Sequence, residues 1–228
     1  MNKIEILYED DECLVINKAA GLPVQGGKGA AVNLDALLAA SWKPRPLLTH
    51  RLDKDTSGVI LTAKTPAAAA HFSREFAGKR VKKQYLALCR QHKNAINDRE
   101  GSIHSSLERK GVLKDALTRY RLLESAGGFA FFRLEPGTGR MHQIRRHLSQ
   151  NGLPVIGDDK YGDFALNRRL RGEAGIKKML LHASRLALPL QSGHILDISA
   201  PLPDYFLEAL AALQIPAFTG GVQTEKGD

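Results

Sequence analysis

THRLDKDTSGVILTAK, residues 49–64, opens with His50, Arg51, Asp53, Lys54 and Asp55 and ends in an apolar run that closes at Ala63. A run of this kind behind a Thr-Ser-Gly turn signal predicts a buried strand. The charges then stand at the mouth of that strand. A carboxylate mounted there is held by a rigid sheet yet open to a cleft, which is where functional groups are usually built. Asp53 and Asp55 compete for that role. Asp55, followed by Thr56, Ser57 and Gly58, suits a turn former that bonds backbone N–H groups two residues on. Asp55 is therefore expected to shape the turn and Asp53 to carry chemistry, against the alternative of a plain Arg–Asp surface network.

Outward from this stretch, KIEILYED and ECLVINK read as two strands around an acidic turn. GLPVQGGKG is a glycine-rich loop without the Lys-Ser/Thr ending of a phosphate-binding loop. Asn33 caps a short helix, LDALLAAS, and Thr65-Pro66 opens another through AAAAHFSREFAG, with Gly78 after its end. KKQYLALC is a strand. Arg90 to about Lys114 reads as irregular. DALTRYRLLES and GGFAFFRLEP alternate as an antiparallel pair. MHQIRRHLSQ is a helix stopping at Asn151-Gly152, and Leu153 to Lys178 reads as loop-rich and basic. MLLHASRLALPL and HILDISAP are the last strands and PDYFLEALAAL the closing helix. With many hairpin-like neighbours, the expected class is α+β: a mixed, mainly antiparallel sheet with flanking helices. No repeat or strong linker interrupts it, so one domain over 1–216 and a mobile tail over 217–228 are expected.

The 228 residues are 43% hydrophobic and 25% charged, ordinary for a globular protein. No apolar run approaches the ~18 residues of a membrane span. The start, MNKIEILYEDDECLVINK, lacks the layout of a secretory signal, which points to the cytoplasm. Cys13 and Cys89 lie far apart in apolar contexts and read as buried free thiols. The formal charge is +9, with a pI near 9.6. That makes nucleic acid the leading partner class, and an acidic membrane surface the next. The cations cluster at Lys79, Arg80, Lys82 and Lys83, at Arg140, Arg145 and Arg146, and again between Arg168 and Lys178.

Two further stretches invite chemistry. In GTGRMHQIRRHL, a helix from Met141 puts Met141, Ile144 and Leu148 on one stripe. Arg145 falls at the edge of that stripe, partly desolvated and in want of a carboxylate, whereas Arg146 points away. His142 and His147 are five apart, not the four that stacks two metal ligands on one face. In KKQYLALC, Tyr85 beside its basic neighbours is either a core tyrosine or an aromatic face under a nucleobase.

HRLDKDTSGVILTAK, KKQYLALC, GRMHQIRRHL, PVIGDDKYG and LLHASRLALPL, in this order, resemble the successive motifs of the RluA-type pseudouridine synthases. The likeness extends from IEILYEDDECLVINKAAGLPVQGG to about Leu210. HRLD and HQIR about ninety residues apart carry most of it, and the His before Arg-Leu-Asp favours the RluA type over the RsuA type. The resemblance implies a curved, largely antiparallel sheet with an RNA cleft across its middle. It implies isomerisation of uridine to pseudouridine in structured RNA, ribosomal or transfer, without cofactor or metal. Asp53 would be the catalytic aspartate, Arg145 its partner, and Tyr85 the tyrosine of a K-x-Y-x-A motif formed with Lys83 and Ala87. Arg51 would enter the RNA stack beside the extruded uridine. His50, Arg140, His142, Arg146, Lys82 and Lys83 would contact RNA, and the protein is expected to be a monomer. Many relatives acting on large-subunit ribosomal RNA carry an S4-like domain ahead of the catalytic one. Here either the cleft and its insertions recognise RNA alone, or such a domain stands outside this sequence.

The residues suit that chemistry. The N1–C1′ bond must break, the base rotate and C5 join C1′. Asp53 can act as nucleophile at C1′ or C6, or as base at C2′. Tyr85 can stack on the base and accept or relay the C5 proton. The uridine has to be flipped out at a cost of a few kcal/mol, which Arg51 would partly offset. Two other readings are a non-catalytic RNA-binding or ribosome-assembly protein, and a nucleoside hydrolase. The second needs another carboxylate as acid, and none stands out in a motif.

Overall fold

The computed structural model describes residues 4–26, 32–96, 98–109 and 111–216. The expected tail, 217–228, and residues 27–31 of the glycine-rich loop lie outside the described residues. Ten strands among them join one sheet. The chain runs β1 (Glu5–Glu9), β2 (Cys13–Lys18), α1 (Leu34–Ser41), β3 (Leu47–Leu48), β4 (Ser57–Ala63), α2 (Pro66–Ala77), β5 (Lys82–Arg90) and β6 (Glu100–Arg109). It continues through β7 (Val112–Ala126), β8 (Phe129–Pro136), α3 (Gln143–Gln150), α4 (Phe164–Glu173), β9 (Leu181–Pro189), β10 (Ile195–Ser199) and α5 (Asp204–Ala212). The sheet order is β1-β2-β4-β9-β5-β8-β7-β6, with β10 on β9 and β3 on β4. Among the described pairings only β4 with β9 is parallel. The expected α+β architecture, mixed and mainly antiparallel, is what the chain adopts.

β4 is buried along its whole length, as its apolar run requires. Its ladder with β9 is made by Ser57 and Gly58. Gly58 has φ +107, and a Cβ there would stand 2.1 Å from the Ala183 carbonyl oxygen, so only glycine lets the two halves of the sheet meet. The caps follow the sequence reading. Asn33 Oδ1 accepts from the Ala36 N–H, and Thr65 Oγ1 from the Ala68 N–H ahead of α2. Cys13 and Cys89 are buried free thiols.

Three expectations are corrected. The stretch from Arg90 to Lys114 holds β6, which pairs with β7 over ten residues. The basic segment before Lys178 contains α4, which buries Leu166 and Leu170. α3 starts at Gln143, not Met141. His142 takes a left-handed conformation (φ 51, ψ 31), which leaves Met141 42% exposed and off the apolar stripe. Gln143 accounts for that start. Its Oε1 accepts from Thr138 Oγ1 and the Arg140 N–H, and its Nε2 donates to Leu117 O and Thr118 Oγ1. One side chain thereby clamps the entering loop to β7.

Neighbouring side chains of β5 serve opposite faces of the sheet. Tyr85, Ala87 and Cys89 pack with Ile144 and Leu148 of α3, whereas Leu86 and Leu88 pack with Phe206 and Leu210 of α5. Tyr85 also touches the cluster of Leu34, Leu38, Leu52 and Ile60, so it stands at the seam of two cores.

Candidate active site

The loop before β4 is stitched to the strand behind it. Thr49 Oγ1 donates to Leu61 O, and the Leu61 N–H donates to His50 Nε2 at 2.9 Å. The Thr56 N–H closes the turn on Asp53 O. Lys18, at the end of β2 and 1% exposed, donates to the carbonyls of Ala19, Leu22 and Lys54, each at 2.9 Å. Burial pulls its ammonium down to about 8, against the attraction of Asp55 and Asp53. Asp53 is thus presented by a loop pinned at both ends, with its side chain 27% exposed.

Arg145 Nη1 donates to Asp53 Oδ2 at 3.2 Å. The stronger pairing lies on the other edge of the guanidinium. Its Nε and Nη2 donate to the two oxygens of Asp158, both at 2.7 Å. The side chain of Asp158 is 0% exposed and that of Arg145 is 5% exposed. Asp158 Oδ1 also accepts the N–H groups of Lys160 and Tyr161, and the Tyr161 ring lies 5.2 Å from the Arg145 guanidinium carbon. Burial opposes both charges. The Asp158 and Asp53 carboxylates nevertheless hold Arg145 above its ordinary value, and Arg145 with the two N–H groups holds Asp158 below its own. Arg145 is therefore a fixed cation whose direction is set by Asp158 and whose free edge meets Asp53.

His142 Nε2 lies 3.9 Å from Asp53 Oδ1, and its Nδ1 meets Tyr161 Oη at 3.0 Å. Burial lowers its pKa, and Arg145 and Lys160 reinforce that against Asp53. His142 is a neutral polar wall beside the carboxylate. Burial, then the charge of Asp53, raises the Tyr85 phenol well above its usual range, so the hydroxyl keeps its proton at neutral pH. Oδ2 of Asp53 accepts from Arg145, whereas Oδ1 faces His142 at 3.9 Å.

Asp53, Arg145 and His142 converge in space, and Tyr85 is close enough to sense the charge of Asp53. Arg51 is exposed next to Asp53, and among the described residues no partner engages its guanidinium. Lys82 and Arg140 are exposed, and Arg140 Nε donates to Asp115 O at 3.3 Å. Lys83 is half-buried, and burial lowers its pKa. Two members of the expected RNA-contact set have other duties. His50 gives its acceptor nitrogen to Leu61 and stacks on Phe76 at 4.6 Å. Arg146 Nη1 fastens α3 to Glu108 O at 3.0 Å. His147 is buried against Thr118, away from His142. Sequence reasoning missed Asp158, Tyr161 and Lys18. For Asp158 a signal existed: PVIGDDKYG, one of the stretches that carry the resemblance, holds two adjacent carboxylates.

His147 and His182 are buried and His50 half-buried, all three as neutral rings. Burial pushes His50 down to about 3, and His147 and His182 to about 4. His182 Nδ1 is bonded to Ser57 Oγ. An unfolded chain takes up these protons below about 6.5 and the folded one does not. Stability is therefore complete above that pH and is lost as the pH falls from 6.5 toward 4. Urea unfolding at pH 7 and pH 5 should show a clearly lower midpoint at pH 5. Equal midpoints would mean that these rings are charged in the fold.

A carboxylate held by a buried arginine thus stands on a mixed sheet, with a tyrosine beside it. The RNA pseudouridylate synthase family pattern matches residues 12–150, and the chain belongs to that family. Ribosomal large subunit pseudouridine synthase C of Vibrio cholerae serotype O1 is 35% identical over 218 residues, 92% of this chain and 69% of that protein. The protein of the same name from Escherichia coli K12 is 35% identical over 226 residues, 92% of this chain and 70% of its own length. Among solved structures, human RNA pseudouridylate synthase domain containing 4 superposes with a TM-score of 0.79 at 27% identity, covering 93% of this chain and 94% of that one. No described helix is long and apolar enough to cross a membrane.

Proposed function

We propose that this enzyme isomerises specific uridines in large-subunit ribosomal RNA, in the cytoplasm and as a monomer, through one catalytic domain. The observation that carries the site assignment is the chain of contacts from Asp158 through Arg145 to Asp53. It fixes one carboxylate oxygen and leaves the other for the substrate. In this reading Asp53 attacks the flipped nucleotide, and Arg145 supplies a preorganised counter-charge that needs no rearrangement during reaction. Tyr85 stacks on the detached base. Because its phenol stays protonated, it relays the C5 proton through its hydroxyl; it is not a ready-made base. His142 borders the carboxylate, and Arg51 enters the gap left in the RNA stack. The names of the curated relatives support ribosomal RNA over transfer RNA.

Isomerisation leaves mass unchanged but must exchange the hydrogen at C5. Large-subunit ribosomal RNA tritiated at uridine C5 should release one label to water per site modified, with pseudouridine in the digest. Tyr85→Phe should slow that release. Free uracil in place of pseudouridine would replace this assignment with hydrolysis, and RNA binding without release would mark a non-catalytic protein.

A further inference from the structure

The face of the sheet turned away from Tyr85 carries a long groove of about 1770 Å³. Small-molecule pockets occupy about 300–1,000 Å³, so this volume suits a macromolecule. Strand register explains its lining. Gln84 of β5 lies opposite Glu135 of β8 and Arg185 of β9, Leu86 lies opposite Arg133, and Arg133 lies opposite Arg121 of β7. Side chains directly opposite one another share a face, so a row of cations crosses the sheet on the side that Tyr85 does not use. Eight lysines and arginines line the groove against two carboxylates. Both carboxylates have partners: Asp197 pairs with Arg185, and Glu135 accepts from Gln84 Nε2 at 2.9 Å. Arg119 and Arg121 are exposed, and among the described residues no partner engages either guanidinium.

The groove comes near the site at two places. Gly139 and Arg140 line it and belong to the loop that delivers His142 to Asp53. Phe76 lines it and stacks on His50, three residues before Asp53. Either point offers a direction in which a strand of RNA leaving the site would run toward the cation row.

We infer that this face is a second RNA-binding surface, which holds the sugar–phosphate backbone of substrate RNA flanking the reacting uridine. The inference rests on RNA being the substrate. Charge selects the ligand: an excess of exposed cations neutralises phosphates and releases their counterions, with no need to read bases. A segment of acidic protein is the competing occupant.

The test is Arg119→Gln with Arg121→Gln in the full chain, with an unchanged thermal midpoint as the folding control. On a long ribosomal RNA transcript, KM and the Kd from fluorescence anisotropy should rise about tenfold, and kcat should hold. The slope of log Kd against log salt should fall by about 2, one per lost phosphate contact. A short stem-loop bearing the same uridine should bind equally well to both proteins, because it cannot reach the groove. Unchanged Kd and slope on the long RNA, equal losses on both RNAs, or a loss confined to polyglutamate binding would overturn the proposal. Failure of the enzymatic reading shows differently, as wild-type protein that forms no pseudouridine while the Kd comparison still reports on the groove.

Discussion

Asp53→Asn should abolish pseudouridine formation, by at least about a thousandfold, while the protein folds and binds RNA as before. The amide matches the carboxylate in shape, so the loop held by Lys18 and by the Thr56 N–H keeps its position. Arg145 keeps both of its bonds to Asp158, so no buried charge loses its main partner. What disappears is the anionic oxygen that attacks or takes a proton. Tritium release, nucleoside analysis and a binding titration on the same preparation measure the three outcomes. Residual isomerisation within tenfold of wild type would move the chemistry to another residue, and lost RNA binding would recast Asp53 as a structural group.

Arg145→Leu should fail in a different way, through both stability and turnover. The helical pattern leaves this arginine in want of a carboxylate, and the resemblance makes Asp53 that partner. The fold adds Asp158, fully buried and bonded to it twice. Deleting one member of a buried pair costs about 3–5 kcal/mol, because the other charge stays in place without compensation. For a chain of this size that lowers the melting temperature by about 6–20 °C. Adding Asp158→Asn should recover much of the lost stability. The asparagine carbonyl can still accept from Lys160 and Tyr161, and the stranded charge is gone. It should recover no activity, because Asp53 still lacks its cation. A single variant that melts like wild type would show that Asp158 is not an obligate partner, and a double variant that regains turnover would remove Arg145 from the chemistry.

The contrast shows how far residue patterns reach. Strands with an uninterrupted apolar run, such as β4, and helices with an evident cap, such as α2, were legible residue by residue. β6 was not: among the described side chains of EGSIHSSLER only Ile103 and Leu107 are buried, and serine between them blurs the alternation of an edge strand. α4 announces itself only by Leu166 and Leu170 inside a basic run. In the site, Asp53, Tyr85 and Arg145 were chosen from their motifs, and the fold sets Asp53 against Arg145. Asp158 was hidden because Asp159 adjoins it in the same loop. Composition does not say which of the two turns inward, yet the Asp159 side chain is 83% exposed and that of Asp158 is not exposed at all. His50 has a duty that the sequence alone does not show: its ring nitrogen closes a backbone bond to Leu61 that only the strand register reveals.

The hydrogen bond by which Lys18 holds the Asp53 loop ends on a carbonyl oxygen, that of Lys54. Every amino acid carries that oxygen, so this bond is indifferent to which side chains stand at positions 51 and 54, while the carboxylates of Asp53 and Asp55 add their attraction for the ammonium. Arg51 and Lys54 can be exchanged without loosening it, and the carboxylate between them stays where it is. The anchor separates the part of the loop that can diversify from the part that reacts. A descendant gene could drift toward a new RNA by rewriting the exposed positions, with the catalytic geometry inherited intact.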